Sequence, residues 1–320
     1  MRVGIFVTET GMRPSNAGDV AAQAAWAEAA GFAHAWVPYL PWSLDAFVAL
    51  TVAAQATSTI GLGTAVVPTY PFHPMAMARA ALSVQAVSGG RLWLGVGPSH
   101  QSVIENMYGY RYDRPAAHTR EYLGALRRAF ALDGHAEGHG EFYDFASMFS
   151  VPGSGDTSTG DPGAPVLLVA ALAPRMLALC GEVADGTVLW MADETAVAEH
   201  VVPRLDAAAA AAGRARPRIV SCMPVSVGDD VEAGRAGAAR AFASYGAIPT
   251  YQRIIGRGSG TGPADVVLVG PEDALAERLD GWSALGVTDV VFAPFATGDD
   301  RAASIERTLA FCAAYARRGA

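Results

Sequence analysis

Few residues in this chain are suited to chemistry. His100 closes the stretch SGGRLWLGVGPSH (88–100), directly after Gly97, Pro98 and Ser99. A histidine near its reference pKa of about 6.5 suits proton transfer at neutral pH. Tyr39, in HAWVPYL, is a second candidate proton donor. His73, in YPFHP, is a third, although its place before Pro74 at a helix start favours a capping role. Gly95-Val96-Gly97 invites comparison with a dinucleotide-binding turn, which needs a third glycine and an acidic residue about 20 positions on. Here Pro98-Ser99-His100-Gln101 follows Gly97, and residue 117 is alanine. The segment therefore reads as a strand end. Gly97 lacks a Cβ and Pro98 has a fixed φ, so the backbone can turn beneath a ligand, with Ser99 adding a hydroxyl and an N–H.

Composition narrows the chemistry further. There is no lysine among the 320 residues, and all 23 basic side chains are arginine. Schiff-base chemistry and a P-loop lysine are excluded, and an anion must be held by arginine, hydroxyls or backbone N–H groups. The net charge of −8 speaks against nucleic acid or an anionic membrane as partner. Cys180, Cys222 and Cys312 form no CxxC pair and read as buried thiols in a reducing compartment. His135 and His139 lie four apart beside Glu137 and Glu141, but Gly134, Gly138 and Gly140 favour a solvated turn over the helix a metal site would need. No metal is expected. His34, His118 and His200 have no partner visible in the local sequence. The amino terminus is too short for a signal peptide, and no apolar run approaches the ~18–20 residues of a membrane span. A soluble, cytoplasmic protein is expected.

These residues must be positioned by a regular scaffold. Apolar runs at 3–8, 34–39, 60–67, 91–97, 166–172, 185–191, 218–227 and 286–294 read as strands. Helical patterns at 17–31, 43–57, 73–90, 115–132, 173–184, 194–213, 229–245 and 301–318 lie between and after them, with Ser43 as the cap of the second. Continuous apolar strands alternating with helices mean parallel α/β, and eight units at this length predict one (β/α)₈ TIM barrel in a single domain. Insertions at about 100–165, after strand four, and 246–285, between strands seven and eight, should cover the catalytic mouth. The first carries the Gly/Ser/Pro-rich stretch 152–165, which reads as a mobile loop.

The stretch IGLGTAVVPTYPFHPMAMARAALSVQAVSGGRLWLGVGPSH (60–100) resembles the luciferase-like monooxygenase superfamily, as does ALAPRMLALCGEVADGTVLWM (171–191). HAWVPY, GPSHQSVIE, DRPAAHTREYL and GPADVVLVG are most similar to its coenzyme F420-dependent oxidoreductases. The resemblance spans residues 3 to about 295 and implies F420, or alternatively FMN, at the barrel mouth. It implies a non-prolyl cis peptide at Ala65–Val66 backing the ring, with Phe6 and Thr64 beside it and small residues at 63–65 allowing close approach. Gly97, Pro98 and Ser99, with Ala171, Leu172, Ala173 and Arg175, would hold the cofactor's phosphate at a helix start. Trp42, Trp190, Tyr251 and Phe6 could form an aromatic floor or lid. The family's usual strand-two histidine is replaced by Pro38-Tyr39-Leu40, which leaves His100 and Tyr39 as catalytic candidates. Three functions follow: an F420-dependent hydride transfer, an FMN monooxygenase served by a separate reductase, and a non-catalytic cofactor carrier. Helices 43–57 and 73–88 are rich in Ala, Val, Leu and Met on more than one face, a surplus that suggests a homodimer through them, as is usual in the family the chain resembles.

Overall fold

The alternation of buried strand and covering helix closes into a ring. The computed structural model describes residues 1–8, 15–154 and 163–318. Its strands are β1 (Arg2–Phe6), β2 (His34–Val37), β3 (Gly61–Thr64), β4 (Val67–Pro68), β5 (Leu92–Gly97), β6 (His135–His139), β7 (Asp144–Met148), β8 (Val166–Ala170), β9 (Gly186–Trp190), β10 (Arg218–Val227), β11 (Leu268–Gly270) and β12 (Asp289–Pro294). Its α-helices are α1 (Ala17–Ala29), α2 (Ala46–Ala56), α3 (Pro74–Val87), α4 (Gln101–Asn106), α5 (Pro115–Ala129), α6 (Pro174–Val183), α7 (Glu194–Ala196), α8 (Val202–Ala211), α9 (Val231–Ala241), α10 (Pro249–Ile255), α11 (Glu272–Asp280) and α12 (Arg301–Ala316). Strands β1, β2, β3, β5, β8, β9, β10 and β12 pair in that order, all in parallel, and β12 returns to β1. The fold is a (β/α)₈ barrel, as the alternation predicted.

Several local expectations are corrected. The third strand is broken at Ala65–Val66, whose peptide bond is cis, and resumes as β4. Helix α2 starts at Ala46 rather than near Ser43, because the Asp45 carboxylate accepts from the N–H groups of Phe47 and Val48. The 194–213 helix contains a π-turn, Val197–Val201, where Pro203 cannot donate to the preceding turn. His135–His139 is solvent-exposed, as expected, but forms an antiparallel strand against β7 rather than a turn, with His139 between Glu137 (2.9 Å) and Asp144 (2.7 Å). Residues 246–285 hold α10, β11 and α11, more order than their composition suggested. Of the stretch expected to be mobile, residues 155–162 lie outside the described residues.

The side chains that fill the barrel bore pack around one large residue of β2. Trp36 of β2 is wholly buried and packs with Trp93, Leu168, Val188, Val220 and Val291. A Cβ on Gly4 of β1 would collide with the indole nitrogen, and one on Gly63 of β3 with the six-membered ring. Gly63, expected to make room for a cofactor ring, instead makes room for Trp36.

Beneath this indole, at the amino-terminal end of the barrel, the side chains are charged. Arg218 binds Asp289 through Nη2 (2.6 Å) and Nε (3.0 Å), and the guanidiniums of Arg2 and Arg218 lie 5.2 and 5.0 Å from the Trp93 ring. The His34 ring packs against Trp93, tilted by 59° with centroids 4.2 Å apart, and its Nδ1 lies 4.0 Å from Asp289. Burial pushes the His34 pKa down to about 4, against the attraction of Asp289. His118, buried under Tyr143, is likewise lowered to about 4. Both histidines are neutral in the folded state and bind protons near pH 6.5 when unfolded. Their contribution to stability is complete above pH 6.5 and is lost as the pH falls toward 4. At 1.36 kcal/mol per pKa unit, His34 accounts for about 2–3 kcal/mol of this loss. Urea unfolding at pH 7 and pH 4.5 should therefore show wild type losing about 2 kcal/mol more than H34Q; equal losses would mean that His34 titrates normally.

Candidate active site

The carboxyl ends of the barrel strands form a mouth with two unlike halves. On one side, Thr64 Oγ1 donates to the Gly95 carbonyl (2.8 Å) and accepts from the Gly95 N–H (2.9 Å). A Cβ on Gly95 would overlap the Thr64 carbonyl, so the glycine permits this close approach of β3 and β5. The Thr64 hydroxyl is thus committed to the barrel wall and is not presented to a ligand. Gly97 is also a packing residue: its Cβ would lie 3.0 Å from Ala170 Cβ and 3.1 Å from Val66 Cγ2. Bulk at 97 would therefore disturb the wall as well as any bound molecule. Half-buried Ala65 and Val66, with Gly97 and Ala170, leave a floor without projecting side chains.

The two loops beside this floor are fixed by residues distant in sequence. Pro98 is buried, and Ser99 takes a φ of 60°, in the left-handed region a non-glycine residue seldom adopts. Tyr112 Oη donates to the Ser99 carbonyl at 3.2 Å and stacks on Tyr70, which stacks on His118. After β8, Ala171 is buried and Leu172 half-buried. His200 Nε2 donates to the Leu172 carbonyl at 2.8 Å. Ala173 caps α6 without any side-chain hydrogen bond, and Ala173, Pro174 and Arg175 are exposed. That helix start offers free N–H groups and a guanidinium to an anion.

The other half of the mouth is aromatic. Phe6 of β1 meets Trp190 of β9 edge-on at 6.5 Å. The segment after α9 lays Tyr245 on Trp190 (5.8 Å) and Tyr251 on Tyr245 (5.1 Å). His100, at the start of α4, meets Tyr251 edge to face at 5.0 Å. Burial alone lowers the His100 pKa, so its ring is neutral at pH 7. Tyr39 stands apart, packed edge-on against Phe72 and close to Tyr108. Burial, with Tyr108 and Asp45 nearby, pushes its pKa up to about 12. Trp42 is 63% exposed and no part of this cluster. His73 caps α3, its Nδ1 accepting from the Met75 N–H.

Sequence reasoning named Phe6, Trp190, Tyr251 and His100 but missed Tyr245, His200, Tyr112 and Asp193. Asp193 is buried after β9. Its carboxylate accepts from the Ala196 N–H (2.8 Å), the Ser259 N–H (2.7 Å) and the Ser259 hydroxyl (2.8 Å). The segment carrying Tyr245 and Tyr251 is thereby pinned to the barrel. No local motif announces these partners, which lie 13 to 66 residues apart.

The chain belongs to the luciferase-like monooxygenase family, which it matches over residues 1–289. A putative coenzyme F420-dependent oxidoreductase of Mycobacterium tuberculosis is 31% identical over 195 residues, covering 58% of this chain and 54% of that protein. Among solved structures, the monooxygenase RslO1 from Streptomyces bottropensis superposes with a TM-score of 0.77 at 21% identity, covering 98% of each chain. The oxygenating constituent of 3,6-diketocamphane monooxygenase from Pseudomonas putida, in complex with FMN, superposes with a TM-score of 0.73 at 18% identity, over 98% of this chain and 96% of that one. Membership of this family makes the chain an oxidoreductase. No helix among the described residues is long and apolar enough to cross a membrane.

The Asp193 anchor can be tested directly. D193A removes a helix cap and two hydrogen bonds to a carboxylate, so it should cost about 2–3 kcal/mol of stability. Hydrogen exchange should rise sharply over residues 245–261 and little in the barrel strands. Unchanged exchange in that segment would show that Asp193 does not hold it.

Proposed function

We propose that the chain is a coenzyme F420-dependent oxidoreductase acting on a small organic substrate in the barrel mouth. The observation that carries this reading is the pairing, on one side of the mouth, of a flat floor with a free helix start. Ala65, Val66, Gly97 and Ala170 suit a planar ring, and the Arg175 guanidinium with the backbone N–H groups at 173–175 suits a phosphate. When bound, the deazaflavin would supply two-electron hydride chemistry, which calls for neither a metal nor a thiol.

The chain's own residues would do the rest. Phe6, Trp190 and Tyr245 exclude water from the mouth. Tyr112 and His200 hold the Ser99 and Leu172 loops in place. His100, neutral because it is buried, can take up the proton of a substrate hydroxyl or return one to a carbonyl. Tyr39, with its raised pKa, can donate a hydrogen bond but is a poor proton acceptor. The named M. tuberculosis relative and the motifs around residues 34–39, 97–105 and 113–123 favour F420 over FMN. The second reading, an FMN-dependent monooxygenase supplied with reduced flavin by a partner reductase, is prompted by the two monooxygenase structures of the same fold. We further propose a cytoplasmic homodimer. The exposed Val48 on α2 and Val87 on α3 would lie at its interface.

A fluorescence titration decides between the cofactors. F420 should bind at least about tenfold more tightly than FMN, a difference of 1.4 kcal/mol. Binding of FMN without F420 would move the assignment to the monooxygenase, and binding of neither would overturn both. H100A should keep F420 affinity while losing turnover by about 10²–10⁴-fold. Full turnover with a flat pH profile near neutrality would make His100 a bystander.

A further inference from the structure

A cavity of about 290 Å³ lies between the end of α9 and the loop that joins β12 to α12. Phe295 lines it, a buried ring that meets Phe242 edge-on at 5.1 Å, and Phe242 in turn meets Trp190 at 6.3 Å. The cavity therefore backs onto the aromatic half of the mouth. It shares no residue with the floor of Ala65, Val66, Gly97 and Ala170. Its wall is set before any ligand arrives. A Cβ on Gly237 would lie 2.9 Å from Thr297 Cγ2, so this glycine lets α9 approach the loop. The Thr297 N–H donates to the Ser304 hydroxyl (3.0 Å), and the Thr297 hydroxyl is bonded to that of Ser226 (2.9 Å). Gly298, at a φ of 72°, occupies the left-handed region just before α12. A wall fixed in this way lowers the ordering cost of binding.

Two guanidinium groups line this space without a partner of opposite charge. Arg240 stands near the end of α9 and Arg301 at the start of α12. Among the described residues neither forms an ion pair, and Arg301 makes only a 3.4 Å contact from Nη1 to the Ala296 carbonyl. Arg307, further along α12, is by contrast held by Asp229 and Glu272. No carboxylate lines the cavity. Asp299 and Asp300 are close in sequence, but the Asp300 carboxylate accepts from the Ala303 N–H at 3.0 Å. The start of α12 is thus already capped, and an anion would be held by the side chains. Two planar forks of N–H donors suit a tetrahedral dianion, which has oxygens for both, whereas a single carboxylate fills one fork. The Thr297 hydroxyl is committed to Ser226, so a polyhydroxylated molecule finds no side-chain hydroxyl in the wall to pair with.

We propose that this cavity binds a phosphate group, free or as the monoester of a compact apolar molecule, between the guanidinium groups of Arg240 and Arg301. The apolar part of a monoester rests against Phe295. The site is separate from the cofactor phosphate site proposed at the start of α6 and does not rest on that assignment.

The test is calorimetric titration of inorganic phosphate, phenyl phosphate and benzoate, in a phosphate-free buffer, into wild type, R240Q, R301Q and R175Q, alongside the F420 affinity of wild type, R240Q and R301Q. Arg240 and Arg301 are exposed, so neither substitution removes a core contact. Phenyl phosphate should bind wild type at least about tenfold more tightly than benzoate. R240Q and R301Q should each weaken phosphate binding by about tenfold or more and leave F420 affinity unchanged, and R175Q should leave phosphate binding unchanged. Equal affinity for the two phosphates supports the proposal with free phosphate as the ligand, and tighter binding of phenyl phosphate supports it with a monoester. Four results would overturn it: no binding of either phosphate, phosphate binding that survives R240Q and R301Q, phosphate binding lost in R175Q, or benzoate bound as tightly as phenyl phosphate. Loss of F420 affinity in R240Q and R301Q would also overturn it, by giving the cavity to the cofactor.

Discussion

The structure depends on one tryptophan filling the bore of the barrel. Trp36 projects from β2 into space left by glycines on both neighbouring strands, Gly4 and Gly63. With Trp36 and the side chains packed around it occupying the centre, the interior separates into layers. Below lie Arg2, His34, Trp93, Arg218 and Asp289, a charged plug at the end where barrels place residues for stability. Above lies the mouth, which can keep small residues on one side and large aromatics on the other because the bore beneath it is already packed.

That division gives the mouth its chemistry. The reciprocal Thr64–Gly95 hydrogen bonds draw β3 and β5 together and leave Ala65, Gly97 and Ala170 as a flat surface. Opposite, the rings of Phe6, Trp190, Tyr245 and Tyr251 form a wall of low polarity, and burial beside it disfavours the charged form of His100. Interactions with any developing charge are stronger in such surroundings than in water. The feature proposed to accept an anion, the start of α6 with Arg175, lies exposed at the rim, where solvent screens it. A cofactor spanning both would place its ring in the apolar interior and its phosphate at the surface.

Much of this was legible in the sequence, for identifiable reasons. Eight apolar runs separated by helical patterns specify a parallel barrel, because a strand covered on both faces has no polar alternation. The break at Ala65–Val66 was expected from the resemblance of residues 60–100. Partnerships across long sequence distances were not legible. Glycines 63 and 97 carry no mark saying whether the space they leave belongs to a ligand or to a neighbouring side chain, and the structure assigns it to Trp36, and to Val66 and Ala170. Of the histidines that looked unpartnered, His118 and His200 find Tyr143 and the Leu172 carbonyl only once the chain is closed, and His34 finds the Trp93 ring. The β6–β7 hairpin was hidden by its glycines, although Glu121 caps its turn through the N–H groups of Glu141, Phe142 and Tyr143.

The central claim is that the small-residue side of the mouth and the start of α6 together hold the cofactor. A crystal structure of the protein with F420 bound tests it most directly. The account requires the ring against Ala65, Val66 and Ala170, and the phosphate within hydrogen-bonding distance of Arg175 or the backbone N–H groups at 173–175. A ring displaced from that floor would contradict it. So would the F420 phosphate in the cavity of about 290 Å³ across the mouth, lined by Arg240, Thr297, Gly298 and Arg301.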